Sequence, residues 1–245
     1  MYLLKRTTVA LAAVATLGVG TARADLVLIG TVTIGGTGLG TVNTVLTLTS
    51  QGNNTTEQGC VGRGAAADFI GSTATGACVA GPTTDVQTGA SQTQTRTLAE
   101  AGITTGTNFA ILFNAVEPGG NSITMNSLSA TFYTLTGTIL HTANYVGAPH
   151  DFLTTQTGTG NTGEMFVLNP AEAATLQGFI NSMGAANIRV GLSTKEGDPL
   201  PAQGGPETFF IFNNGAATVT PEPSTVVLMA TGLVGLVGFV RRRRA

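Results

Sequence analysis

The sequence predicts an all-β protein: an antiparallel β-sandwich, of the jelly-roll or immunoglobulin-like kind, with one short packed helix. The chain contains 42 Thr but only two Lys, and Thr favours strands whereas Lys favours exposed helix. Short apolar segments are separated by Gly-, Asn- or Pro-rich turns, which is typical of sandwiches. Only 10% of the 245 residues are charged and 42% are hydrophobic, so the chain has enough apolar surface to fold.

The first 24 residues have the pattern of a secretory signal peptide. Two basic residues precede an apolar run over 7–20, and Ala-x-Ala at 22–24 provides a cleavage site. A first strand or an uncleaved anchor would have the same apolar character. We expect export of the chain, with cleavage between Ala24 and Asp25.

The body of the chain, residues 25–219, is expected to form the sandwich. Gly137 predicts a hairpin, and the change of phase between Met125 and Leu128 predicts a turn or bulge near Asn126. The segments with strand patterns are 26–34, 42–49, 108–116, 122–135, 138–145, 164–168, 187–192 and 207–212.

One helix is predicted after the sixth of these segments. Asn169 can cap it, Pro170 suits its first turn, Glu172 stands three residues after the cap, and Gly184 can end it. An apolar stripe at helical spacing favours packing across the sandwich over a cofactor-binding face. The stripe consists of Leu176, Phe179, Ile180 and Met183.

Residues 50–107, which include a Thr/Gln-rich run over 82–97, are interpreted as a long, partly mobile surface excursion that could include an edge strand. Cys60 and Cys78 are the only cysteines and both lie here. In an exported chain this pair favours a disulfide over two free thiols or a metal-binding pair. Closing the loop would stabilise the fold by about 3 kcal/mol.

The net charge of −2 averages segments of opposite sign. Between residues 25 and 220 the chain has four basic and twelve acidic residues, a net charge of −8. This acidic body excludes a basic nucleic-acid interface and suits a hydrated, self-repelling surface protein.

The sequence offers little catalytic chemistry. His141 and His150 are the only histidines, and Asp151 follows the second; Glu117 and Glu164 could complete a metal site or a general-base pair. The His-Glu-x-x-His and Gly-x-Ser-x-Gly spacings do not occur. We therefore expect no enzyme activity, no cofactor and no metal, and keep an extracellular hydrolase as a remote alternative. The acidic residues form no EF-hand loop, which leaves only a weak calcium site built from distant loops.

Thr at alternate positions could present a flat ice- or carbohydrate-binding face, because such pairs share one side of a strand. The gaps between the groups are irregular, which favours ordinary solvent-facing Thr, some of it open to O-linked sugar. The groups are 31/33, 47/49, 73/75, 93/95/97, 134/136/138 and 157/159. The Gly-rich stretch 36–40 is predicted to be a turn.

Residues 220–245 have the pattern of a membrane anchor. Thr225–Val240 is a stretch of 16 residues without charge, followed by Arg241, Arg242, Arg243 and Arg244. As a helix it would span about 24 Å against roughly 30 Å of bilayer core, a mismatch that snorkelling Arg and local thinning can cover. The Arg cluster should stay cytoplasmic, with the body of the protein outside.

Pro221, Glu222 and Pro223 stand directly before this stretch. The order of Pro-Glu-Pro, short apolar helix and Arg cluster resembles the PEP-CTERM sorting signal of Gram-negative bacteria. The resemblance implies that an exosortase, a membrane-embedded cysteine transpeptidase, recognises and removes the tail. It also implies delivery to the cell surface or the exopolysaccharide matrix.

The same C-terminal module occurs on some ice-binding proteins, so the resemblance implies little about activity. We expect an exported structural or interaction protein of the cell surface or biofilm matrix. Its partners would be exosortase, the membrane before processing, and exopolysaccharide or surface glycans. A carbohydrate- or ice-binding module with a Thr-rich face is the alternative.

Overall fold

The computed structural model of the chain is a β-sandwich with one α-helix. It describes residues 25–34, 43–50, 55–89, 91–115, 122–152, 162–203 and 205–216. The strands are β1 (Leu26–Thr33), β2 (Asn43–Leu48), β3 (Glu57–Arg63), β4 (Asp68–Gly71), β5 (Arg96–Thr97), β6 (Phe109–Asn114), β7 (Ile123–Thr134), β8 (Ile139–Asn144), β9 (His150–Phe152), β10 (Thr162–Leu168), β11 (Ile188–Glu196) and β12 (Glu207–Asn213). The helix α1 (Pro170–Met183) follows β10.

The strands form two sheets. Sheet A has five strands in the order β1-β10-β6-β12-β2. Sheet B has seven, with β4-β3-β11-β7-β8 as its path, β5 paired to β11, and β9 paired to β7. All of these strand pairs are antiparallel. The predicted all-β, antiparallel fold class is confirmed.

The eight predicted strands are all present, with ends shifted by a few residues. The register between β7 and β11 shifts between Lys195 and Glu196, which leaves Asn126 in a bulge where the phase change predicted one. The predicted hairpin between β7 and β8 is also present, and Gly137 at its turn has φ +85°.

The structure differs from the prediction over residues 50–107. These residues supply β3, β4 and β5, and β3 lies inside sheet B between β4 and β11 rather than on the surface. A Cβ at Gly59 of β3 would collide with the side chains of Val86 and Leu48. Glycine at positions 59 and 62 leaves Val61 as the one β-branched residue of the strand, so local strand propensity does not reveal it.

Aromatic side chains join the two sheets in the core. Phe109 of sheet A meets Phe132 of sheet B at 5.2 Å between ring centroids, in an edge-to-face contact. Phe113 of sheet A meets Phe152 of sheet B at 5.4 Å in the same manner. Such pairs add to the stabilisation from burying the rings.

The helix begins and ends as predicted. Asn169 Oδ1 accepts from the N–H groups of Ala171 and Glu172 at 2.8 and 3.0 Å, so it is the N-cap. Gly184 has φ +82° and donates its N–H to the Ile180 carbonyl. Within α1, Leu176 is 1% exposed, and the other members of the stripe pack against the same core. The predicted packing across the sandwich is therefore confirmed.

Candidate functional site

The disulfide joins β3 of sheet B to a segment that follows β4 in the chain. Cys60 and Cys78 are bonded, with 5.4 Å between their Cα atoms, so the predicted bridge is confirmed. Val61 faces the core, and because side chains alternate along a strand, Cys60 faces the outside of sheet B. The bond therefore holds residues 72–80, which we call the strap, against the outer face of this sheet.

The strap is joined to sheet B by hydrogen bonds as well. Gly76 donates its N–H to Ser129 Oγ at 2.9 Å, and Ser193 Oγ donates to the Gly76 carbonyl at 2.9 Å. Ser127 Oγ donates to the Ala74 carbonyl at 2.6 Å. Ser129 and Ser193 are each only 1% exposed, and a buried hydroxyl is costly unless it is hydrogen-bonded. The strap thus covers a polar sheet face and supplies its hydrogen-bond partners.

The two histidines do not form one site. His141 on β8 stands opposite Phe132 of β7, whereas His150 on β9 stands opposite Met125 of the same strand. Seven residues separate Phe132 and Met125 along β7, which places the histidines about 23 Å apart. His141 Nε2 pairs instead with Glu172 Oε2 in the first turn of α1. This contact joins the helix to the edge of sheet B.

The acidic residues considered with the histidines also have separate partners. Asp151 Oδ1 accepts from Thr124 Oγ1 at 2.6 Å, and Glu164 Oε1 accepts from Thr31 Oγ1 at 2.7 Å. The ring of His150 lies 4.7 Å from that of Phe152. Glu117 lies outside the described residues. The structure therefore does not assemble the side chains on which the hydrolase alternative rests.

Three glutamates meet at one end of the core. Glu57 begins β3, Glu196 ends β11 directly opposite it, and Glu207 begins β12 in the other sheet. All three are 0% exposed, and one carboxylate oxygen of each lies within 4.8 Å of the others. Thr194 Oγ1 donates to Glu196 Oε1 at 3.2 Å.

This cluster is the one group of three or more potential metal ligands in the part of the chain that the structure describes. Carboxylate oxygens are ligands of hard cations such as Ca²⁺, and carboxyl groups at this separation can alternatively share protons. The three residues are far apart in sequence, at 57, 196 and 207. No motif spacing could reveal them, because only the pairing of strands brings them together.

The Thr groups do not form one exposed face. Thr47, Thr95 and Thr97 are buried. Thr95 Oγ1 donates to Asp68 Oδ1 at 2.7 Å and accepts from Arg189 Nε at 2.7 Å. Among the described groups, only 31/33 is exposed at every member, and 157/159 lies outside them. Several of these hydroxyls are therefore buried and hydrogen-bonded inside the fold, where they cannot contribute to an exposed binding face.

Asp25, the expected first residue after leader cleavage, is built into the fold. Its carbonyl accepts from the Asn169 N–H at 3.0 Å, and its Oδ2 accepts from the Asn144 N–H at 3.2 Å. Leu26, the next residue, is 0% exposed. Ala24, the residue before the predicted cleavage site, lies outside the described residues.

The predicted sorting residues also lie outside the described part of the chain: Pro221, Glu222, Pro223, Arg241, Arg242, Arg243 and Arg244. The same holds for the predicted membrane helix 225–240 and the Gly-rich turn 36–40. Among the residues that are described, no helix has the length and apolar character needed to cross a membrane.

Comparison with known proteins identifies the C-terminal segment. Residues 219–244 match the family described as the PEP-CTERM protein-sorting motif. Neither the curated proteins nor the solved structures include a match to this chain. The motif implies export, membrane-associated sorting and processing by exosortase. The chain thus carries a PEP-CTERM protein-sorting motif at its C-terminal end and is, by that signal, an exported protein that exosortase sorts.

Proposed function

We propose that the protein is a non-catalytic structural or interaction protein of the cell surface or the extracellular polysaccharide matrix. The observation that carries the proposal is the sorting motif at residues 219–244. After removal of the leader and the tail, a domain with a net charge of −8 over residues 25–220 remains. The net negative charge favours hydration of such a domain and opposes its self-association through charge repulsion.

The described domain has features that suit this location. The Cys60–Cys78 bond is stable in an oxidising exterior. Asp25 is held by the cap of α1 and by the edge of sheet B, so the mature N-terminus does not depend on the leader for its position. These features support a domain that is stable outside the cell. We propose exopolysaccharide or surface glycans as its class of partner.

The sorting part of the proposal is tested in the native host with a Pro221→Ala/Pro223→Ala variant. The two prolines keep Glu222 in an extended conformation, which exosortase could bind. Without them we expect the tail not to be cut, so that the precursor accumulates in the inner membrane. Mass spectrometry of the surface and matrix fractions should find wild-type fragments that end before the Arg cluster. Abundant wild-type peptides ending at Ala245 in those fractions would contradict the proposal.

Pro82→Ala is the matched control, because Pro82 is exposed and lies outside the motif; this variant should fractionate as the wild type does. The matrix part of the proposal is tested by digesting the polysaccharide with glycosidases. We expect digestion to release the mature protein without detergent. Protein that only detergent releases would contradict the matrix location and leave the sorting result intact.

A further inference from the structure

The outer face of sheet A is apolar, in contrast to the outer face of sheet B. A cluster of five buried residues lies on this face, separate from the core between the sheets. We call it the outer apolar face. It consists of Ala110 and Leu112 on β6, Met165 on β10, and Phe210 and Phe212 on β12.

These side chains are almost fully buried. Leu112 is 0% exposed, and Phe210 and Phe212 are each 7% exposed. The described apolar residues that pack against them are Val32, Ile34 and Val167, which lie in or directly after the strands of sheet A itself. Neighbours within one sheet cannot remove a leucine on its open face from water, and antiparallel sheets normally place polar residues there. An apolar face of this size normally has a cover, of which Val32, Ile34 and Val167 supply only a part.

Two long apolar stretches lie outside the described residues, 7–20 in the leader and 225–240 in the tail. The undescribed internal segments are short and rich in Gly, Thr and Asn. The leader is expected to leave the chain on export, whereas the tail stays until sorting. The tail also begins close to the face, because Phe212 lies only four residues before Ala216, the last described residue.

The tail, residues 225–240, is long enough to cover the outer apolar face. β12 has seven residues and is about 23 Å long, and residues 225–240 as a helix would span about 24 Å. The intervening residues 217–224 could reach up to about 27 Å. Gly232, Gly235 and Gly238 would give such a helix a smooth side, on which close packing against a sheet is possible.

We propose that, before its removal, the apolar tail Thr225–Val240 folds back onto the outer apolar face of its own chain. The face then shields the tail from water until a membrane takes it up. Loss of the tail uncovers the face and makes it available to other apolar surfaces. This inference concerns the precursor and does not depend on where the mature protein is finally delivered.

The test uses the full chain synthesised in a cell-free system that contains neither membranes nor exosortase, so that the tail is retained in water. Phe210 is replaced by the photo-crosslinking residue p-benzoylphenylalanine, and the adducts are mapped by mass spectrometry after irradiation of the protein purified without detergent. We expect intramolecular adducts between position 210 and residues 225–240. The same replacement at Ile139, which is 51% exposed on sheet B, should give no adduct with the tail.

Adducts with a second copy or with the leader would overturn the proposal, because they would identify a different cover. Phe212 serves as a second probe position if the variant at 210 does not fold. Absence of adducts from both positions in protein with a native circular dichroism spectrum would also overturn it. A Leu233→Asp/Leu236→Asp variant should reduce the adduct yield at least about tenfold and increase the binding of a hydrophobic dye. An unchanged yield would show that the tail does not recognise the face through its apolar side.

Discussion

Removing the disulfide tests how the strap is held on sheet B. The double variant Cys60→Ala/Cys78→Ala opens a loop with a sequence separation of 18 residues. The closed loop lowers the entropy of the unfolded chain, and for this length the effect is about 3 kcal/mol at 25 °C. We expect the variant to lose about that much free energy of unfolding. For a domain of this size the loss corresponds to a decrease in Tm of roughly 6–12 °C.

Urea denaturation followed by circular dichroism measures the free energy, and hydrogen exchange reports on the strap itself. In the wild type, the Gly76 amide should be protected because its N–H is bonded to Ser129 Oγ at 2.9 Å. Without the disulfide we expect this amide to exchange faster than amides in β7 and β11. Strap opening would then be a local event that precedes global unfolding.

A Ser129→Ala variant is the matched comparison, because it removes the hydroxyl that accepts from Gly76 and leaves the disulfide in place. Ser129 Oγ makes two hydrogen bonds, accepting from the Gly76 N–H and donating to Asn144 Oδ1, and each is worth about 1 kcal/mol. This variant should therefore lose about 2 kcal/mol, less than the cysteine variant. The entropy argument is refuted if the cysteine variant loses less free energy of unfolding than Ser129→Ala does and its Gly76 amide stays protected from hydrogen exchange. In that case the hydrogen bonds hold the strap on sheet B.

Three further predictions concern single residues. Asn169→Ala should lower the free energy of unfolding in urea by about 1 kcal/mol, because its Oδ1 accepts from two N–H groups at the start of α1. Glu207→Gln should raise the Tm in metal-free buffer, since it removes one of three clustered buried carboxyl groups, which repel one another when ionised; Glu164→Gln should not. A lower Tm in Glu207→Gln, matched in the wild type by EDTA, would indicate a bound cation instead. Burial raises the pKa of Tyr133 above its ordinary value of 10.0, so the unfolded chain loses this proton first. Stability should therefore fall as the pH rises from 10.0 towards the higher pKa of the folded state, and Tyr133→Phe should weaken that fall.

The elements that the sequence predicted well are those with local signals. The cap at Asn169, the proline after it and the glycine at 184 define α1 to the residue. The phase change before Leu128 located the bulge at Asn126, because alternation along one strand is a property of a few adjacent residues. The disulfide was predictable because the chain has only two cysteines.

The features that the sequence did not reveal depend on contacts between distant segments. β3 contains Gly59 and Gly62, whose missing side chains are replaced in space by those of Val86, Leu48 and Phe69. A local pattern cannot show which neighbours fill such gaps. The glutamate cluster is of the same kind, since its members lie in three strands from both sheets and become a group only through pairing.

The contrast between the two sheets is visible in the sequence once the fold is known. In sheet B, polar residues such as Ser129 and Ser193 alternate with core residues, and the strap covers them with backbone hydrogen-bonding groups. In sheet A, β6 has the sequence Phe-Ala-Ile-Leu-Phe and β12 contains Phe-Phe-Ile-Phe, with no alternation. A continuous apolar run of this length is typical of a strand that is buried on both faces. The sequence of sheet A therefore requires a dry outer face even before the burial of Leu112 is considered. A chain that loses its tail must meet the same requirement with another apolar surface.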